Sequence, residues 1–124
     1  MWFRRKPTTL GERGERAAAK ALRRAGFKIL ARNARLGRYE IDLVAREGAT
    51  TAFVEVKTRR TDDPVPPEDN VGPTKRRHIQ TAARIYAQRE NDPEMYYRFD
   101  VVSVVLPDRG KTQITILRDA FDAD

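Results

Sequence analysis

The chain contains no cysteine, which excludes disulfide frameworks, thiolate metal sites and thiol nucleophiles. It has one histidine, His78; lacking a partner of its own type, this residue is expected on a helix surface rather than as a metal ligand. No apolar run approaches the ~20 residues that a membrane-spanning helix needs. The start, MWFRRKPTT, is positively charged but has no apolar stretch behind it, so it does not have the form of a signal peptide. No internal repeat and no low-complexity segment is visible. These absences leave a soluble cytoplasmic protein without membrane association as the expectation.

What is present is charge, unevenly spread. The 124 residues are enough for one domain with a modest core, and 35% of them are charged, giving a net +7. Residues 1–38 hold 12 basic and 2 acidic side chains, a net of +10, whereas residues 39–124 hold 13 basic and 16 acidic, a net of −3. A basic N-terminal third beside a carboxylate cluster suits a polyanion gripped near a metal-binding site. A solvated basic helix face would also account for it.

Pattern and punctuation predict the order helix, three strands, helix, two strands. Residues 1–7 are expected to form a flexible basic arm ahead of a single domain over 8–124. Trp2 and Phe3 beside Arg4, Arg5 and Lys6 could stack on bases, although a disordered terminus explains them as well. Thr8 or Thr9 can cap a helix to about Ala25, with Gly26 as its stop. At ~100° per residue, Leu10, Gly14, Ala17, Ala18, Ala21, Leu22 and Ala25 form one arc, with Glu15 at its edge and Glu12 on the solvent side. Gly14, inside that arc, would let the helix approach a sheet closely.

Phe27 to Asn33 alternates as a first strand. Residues 38–46 and 51–58 read as a hairpin closed by Glu47-Gly48-Ala49-Thr50. The Pro- and Asp-rich residues 59–73 read as a loop. Thr74 can cap a second helix to about Arg89, with Ile79, Ala82, Ala83 and Tyr86 on its inner face. Strands are expected at Tyr97–Leu106 and Thr112–Leu117. Short links make the first three strands an antiparallel meander, and the helical link favours parallel pairing of the third with the fourth. The expected fold class is therefore α/β, a central mixed five-stranded sheet flanked by helices.

The chemistry concentrates on the hairpin. Alternation places Glu40 and Asp42 on one face of their strand and Glu55 and Lys57 on one face of the next, with Ile41, Leu43, Val54 and Val56 on the other. The turn implies that Leu43 lies opposite Val54, Asp42 opposite Glu55 and Glu40 opposite Lys57. Facing carboxylates destabilise a hairpin, unless they hold a cation. Oxygen ligands without His or Cys favour Mg2+ or Mn2+. Lys57 points into the same space and could orient or deprotonate a water, or neutralise charge on a phosphate. Glu15 could add a carboxylate from the first helix, though the helix dipole alone also accommodates it. Asp42, Glu55 and Lys57 could instead form a structural ion-pair cluster, and Glu40 either joins the ligands or pairs with Lys57. Lys75-Arg76-Arg77 opens the second helix, where cations oppose the dipole, so a phosphate shared with that helix N-terminus explains them better than helix stability does. Surface solubility is the alternative. Asp100, interrupting an apolar strand, could support the site from behind or be a ladder-edge charge.

Asp42 followed by Glu55-Val-Lys57 on the next strand resembles the core of the PD-(D/E)XK nuclease superfamily, with its restriction-endonuclease-like fold. More closely, the chain is similar to the YraN-type family of small bacterial proteins. That similarity runs through Gly14-Glu15, Gly26-Phe27, Ile29-Leu30, Asn33, Arg35, Glu40-Ile41-Asp42-Leu43, Phe53 to Lys57 and Arg59. It continues through Pro67-Glu68, Val71, Lys75, Arg98 to Val102 and Asp119-Ala120-Phe121. Two departures stand out. Ile41 replaces the proline that names the superfamily, and Tyr39 stands where the family usually has glycine. The resemblance implies metal-dependent phosphodiester cleavage, with Asp42, Glu55 and Glu15 as Mg2+ or Mn2+ ligands, Glu40 as a further candidate, and Lys57 as the catalytic lysine. Archaeal Holliday-junction resolvases share this pattern. Lys75, Arg76, Arg59 and Arg35 are the expected nucleic-acid contacts, with DNA favoured over RNA, and a homodimer would suit symmetric cuts in a branched substrate. A nucleic-acid-binding module that does not cut, or a protein-interaction domain with structural charges, are the competing functions.

Overall fold

Thr9 begins the first helix by chemistry local to the chain: its Oγ1 accepts the Glu12 N–H at 3.0 Å, satisfying one of the donors that a helix start leaves open. The computed structural model of the protein describes residues 9–61 and 71–121. The expected basic arm, Trp2, Phe3 and the Pro67-Glu68 pair lie outside these residues. The elements are α1 (Leu10–Arg24), β1 (Lys28–Leu36), β2 (Tyr39–Glu47), β3 (Thr50–Arg60), α2 (Pro73–Glu90), β4 (Tyr96–Leu106) and β5 (Gln113–Phe121). The strands lie side by side in chain order. All neighbours are antiparallel except β3 and β4, which run parallel. This is the mixed five-stranded sheet flanked by helices, in the element order expected from the sequence.

Each sheet face carries its own helix and core. On one face Ala18, Ala19 and Leu22 of α1 pack with Phe27, Leu43, Ala45, Val54, Val102 and Val104. On the other, Ile79, Ala82 and Ala83 of α2 pack with Leu36, Ile41, Val44, Phe53, Phe99 and Val101. β3 and β4 supply both cores, which is why their sequences read as nearly unbroken apolar runs.

The buried stripe of α1 is not quite the expected arc. Ala25 is exposed and Ala19 is fully buried, so the helix is turned to bring Glu15 further towards the sheet. Gly14 sets how close it comes: a Cβ there would lie 1.7 Å from Thr58 Oγ1 on β3. At α2 the expected Thr74 cap is not used. Gly72 is the N-cap, without a side-chain cap bond, and Pro73 occupies the first turn. Thr74 Oγ1 instead accepts from the Arg77 guanidinium at 3.2 Å.

β1 and β5 run further than their alternation suggests, to Leu36 and Phe121. The extra length of β5 follows a buried charge. Asp100 is fully buried in β4, and its two oxygens accept from Arg98 Nε at 2.8 Å and Nη2 at 2.9 Å. Asp119, at φ +55° beside a β4–β5 register shift, donates its backbone N–H to Asp100 Oδ1 at 2.9 Å. Arg98 and Arg118 both reach Glu47 at the β2–β3 turn. Their hydrogen bonds, Arg118's first, outweigh partial burial and hold the Glu47 carboxyl down to about 2. Asp100 is thus a bracket between β4, β5 and the hairpin turn.

Two stability measurements follow. Gly14→Ala should lower the urea unfolding free energy by about 1–2 kcal/mol despite its better helix propensity, because overpacking against Thr58 outweighs that gain. Asp100→Ala, which removes one of the two carboxylates that hold Arg98 and leaves the Asp119 N–H without its acceptor, should cost about 2–3 kcal/mol in the same assay.

Candidate active site

The hairpin pairs as the turn predicts from Glu47 opposite Thr50 to Leu43 opposite Val54, and there it stops. The expected Asp42–Glu55 and Glu40–Lys57 pairs are not made. β1 and β2 are irregular at the same level. Asn33, the residue that would face Asp42, sits at φ +48° and is missing from a register that otherwise joins Arg32 to Leu43 and Ala34 to Ile41. Asparagine tolerates this conformation better than most residues. One consequence corrects the simple alternation. Leu43 packs in the α1 core while Ile41 packs in the α2 core, so the two do not share a face. Tyr39 lies on the same side as Ile41, against the α2 core.

The parting of β2 from β3 creates the site. Val56 N–H, freed from the ladder, donates to Asp42 Oδ2 at 2.8 Å. Glu55, the next charged residue on β3, is 4% exposed. Its Oε1 faces Lys75 Nζ of α2 at 3.1 Å and Lys57 Nζ at 3.6 Å. Its Oε2 is buried without a hydrogen-bond partner. Burial, then the nearby Glu55 charge, push the Asp42 carboxyl up to about 7, against the pull of the Val56 N–H. Glu15 reaches the same region from α1. It is half-buried, and burial raises its pKa, with Glu40 and Glu55 adding to the rise while a hydrogen bond from Asn33 opposes it. Lys75 shows the complementary response: burial would lower its pKa, but Glu55, Asp42 and Glu40 together carry it upward.

The sequence-predicted residues therefore divide. Asp42, Glu55, Lys57 and Glu15 converge from three elements, and Lys75 joins them through direct contact with Glu55. By its place in the first turn of α2 alone, Lys75 points to a phosphate or to surface solubility, not to Glu55. Asn33, the hydrogen-bond partner of Glu15, was also missed, although an asparagine interrupting a strand pattern is a signal for a special backbone position. Glu40 is exposed and acts at a distance through its charge; the ammonium of Lys57 lies on Glu55 instead of Glu40. Arg76 is exposed but tied down, donating to Val71 O at 2.8 Å and lying over the Phe121 ring. Arg59 is half-buried near the end of β3. Arg35 is exposed opposite Glu40 and lines a groove with Tyr86, Arg89 and Glu90. His78 is on the helix surface as expected, stacked on Tyr39 at 4.7 Å.

Among the described residues no three His, Asp or Glu side chains are gathered tightly enough to enclose an ion by themselves. The donor set is nevertheless one of carboxylate oxygens, the kind that hard divalent cations take. Mg2+ commonly takes one or two carboxylates and completes its shell with water and phosphate oxygens. An unpartnered buried carboxylate oxygen beside a second, proton-hungry carboxylate is the arrangement that a hard cation relieves.

The molecule is thus a helix-flanked mixed five-stranded sheet with an acid–lysine cluster where its hairpin opens. The family profile described as "Uncharacterised protein family UPF0102" matches residues 14–104, and the chain belongs to that family. UPF0102 proteins of Caldicellulosiruptor saccharolyticus and Solibacter usitatus are 39% and 45% identical to it. They cover 90% and 95% of this chain and 96% and 89% of their own lengths. Among solved structures, the chain is similar to Archaeoglobus fulgidus Hjc, a Holliday junction resolvase, at 19% identity and a TM-score of 0.45, covering 83% of this chain and 74% of that one. No helix among the described residues is long and apolar enough to cross a membrane.

The raised Asp42 pKa has a measurable sign. A carboxyl at about 7 in the fold, against 3.8 ordinarily, holds a proton that the unfolded chain releases. Stability is therefore lost as pH rises from about 4 through 7, and the loss persists above it. Asp42→Asn keeps an acceptor for Val56 N–H and removes the charge. It should raise stability at pH 8 by on the order of 2 kcal/mol, with the gain gone by about pH 4, as read by urea unfolding at each pH.

Proposed function

We propose that this protein is a divalent-metal-dependent endonuclease acting on nucleic acid, with DNA, in branched or structured form, as the expected substrate. The observation that carries this reading is the Asp42–Glu55 pair at the opened hairpin, one carboxyl holding on to its proton and the other with a buried, unpartnered oxygen. Asp42 and Glu55 would hold Mg2+ or Mn2+, with Glu15 close enough to join directly or through water. The ion, when bound, would polarise a phosphoryl oxygen and acidify a water.

The protein's own groups supply the rest. Asp42 is fixed by the Val56 N–H, so its second oxygen is presented with little freedom. Lys57, whose ammonium lies 3.6 Å from Glu55 Oε1, would orient the attacking water or meet negative charge as it builds on the phosphate. Lys75 and the uncapped first turn of α2 offer a positive end for a neighbouring phosphate. The basic residues of the N-terminal third would draw the backbone to the site by long-range attraction.

A second reading, a nucleic-acid-binding module that does not cut, is favoured by one fact: Glu55 Oε1 is faced by two ammoniums, Lys75 at 3.1 Å and Lys57 at 3.6 Å, which can serve as its counter-charges. A screen of branched, flapped and duplex DNAs with Mn2+ separates the two. The nuclease reading expects cleavage that falls to background in Asp42→Ala and Glu55→Ala, and by about 100- to 1000-fold in Lys57→Ala. Salt-sensitive binding with no cleavage under any divalent ion would establish the module instead. A parallel readout needs no substrate: Mg2+ or Mn2+ should raise the unfolding temperature more at pH 8 than at pH 5, because protons compete for Asp42 at the lower pH.

A further inference from the structure

The site carries a cation of its own, and its placement needs a reason. Lys75 lies in the first turn of α2, where the helix dipole disfavours positive charge, and the N-cap Gly72 has no side chain with which to offset this. Its ammonium is nevertheless held 3.1 Å from Glu55 Oε1, closer than Lys57, which is 3.6 Å from the same oxygen. Two ammoniums share one oxygen while Glu55 Oε2, buried beside them, has no partner. Lys75 also differs from Lys57 in freedom. Its side chain is 48% exposed against 21%, and it comes from a different element on a long flexible stem.

We infer that Lys75 is a resident counter-ion, standing in for the divalent cation at Glu55 and exchanging that carboxylate for a nucleic-acid phosphate when the cation binds. The inference rests on the metal-dependent reading above and goes beyond it by giving one residue two successive partners. Before exchange, Lys75 reduces the repulsion between the Asp42 and Glu55 charges. After exchange, its ammonium points to the α2 N-terminus, where first-turn N–H groups lack a side-chain cap and a phosphate oxygen can accept from both. Cation and phosphate binding then reinforce each other, since each favours the released position of Lys75.

The test is a Mn2+ titration by calorimetry on the full chain without nucleic acid, comparing wild type, Lys75→Gln and Lys75→Arg. Thermal unfolding of each variant checks that it is folded. Removing a competing charge at this distance should tighten Mn2+ binding by about tenfold in Lys75→Gln, while Lys75→Arg stays near wild type. With Ca2+ in place of Mn2+, the metal-induced gain in affinity for a short DNA duplex, read by fluorescence anisotropy, should shrink in Lys75→Gln. If wild type binds Mn2+ and Lys75→Gln binds it no more tightly, the counter-ion role is overturned while the metal site stands. Equal tightening in Lys75→Arg also overturns it, because charge would then not be the cause. If neither wild type nor Lys75→Gln binds Mn2+, both the role and the metal-dependent reading fall.

Discussion

The structure turns on the failure of two strands to stay paired. β2 and β3 form an ordinary hairpin up to Leu43 and Val54, and beyond that level Asp42 takes the Val56 N–H with its side chain. A side-chain carboxylate thereby replaces a ladder partner, and the sheet opens where a continued hairpin would have forced Asp42 and Glu55 face to face. The opening relieves the geometric clash but not the electrostatic one. Burial keeps both carboxylates poorly solvated, and the Asp42 carboxyl answers by holding its proton to about pH 7. A site that is costly in the isolated protein is one that a cation stabilises on arrival.

The rest of the fold holds that opening in place. α1 comes within reach because Gly14 has no side chain to meet Thr58, and its turned face brings Glu15 inward. Asn33 kinks β1 at the same level and hydrogen-bonds Glu15. α2 covers the opposite face and delivers Lys75 to Glu55. Away from the site, the buried Asp100–Arg98 pair with Glu47 and Arg118 fastens β4 and β5 to the hairpin turn. One charged network makes the domain firm, and the other leaves it with unsatisfied oxygen.

Much of this was legible along the chain, and for identifiable reasons. Thr9 and Gly26 bound α1 through local capping. Gly48 closes the hairpin at φ +61° as a turn glycine should. The parallel β3–β4 pairing follows from the helical link, because antiparallel neighbours need only a tight turn. The misses have separate causes. Thr74 was expected to cap α2, but Pro73 starts the helix one residue earlier and Thr74 Oγ1 accepts from Arg77. Ile41 was expected to share a face with Leu43, but β2 is irregular against both of its neighbours at Asp42 between them. The ends of β1 and β5 went unread because Asn33 and Asp119 break the alternation that marks a strand.

The sequence alone determined the order of the elements, the pairing near the turn and the identity of the chemistry-bearing residues, since these depend on neighbours a few positions apart. Membership of the UPF0102 family is likewise carried by the order of residues. Only the tertiary structure decided where the hairpin opens, which oxygen of Glu55 is left without a partner, and that Lys75 rather than Glu40 completes the cluster. Those outcomes depend on burial and on charges brought together from α1, β2, β3 and α2, and no spacing along the chain fixes the distance between side chains on separate elements.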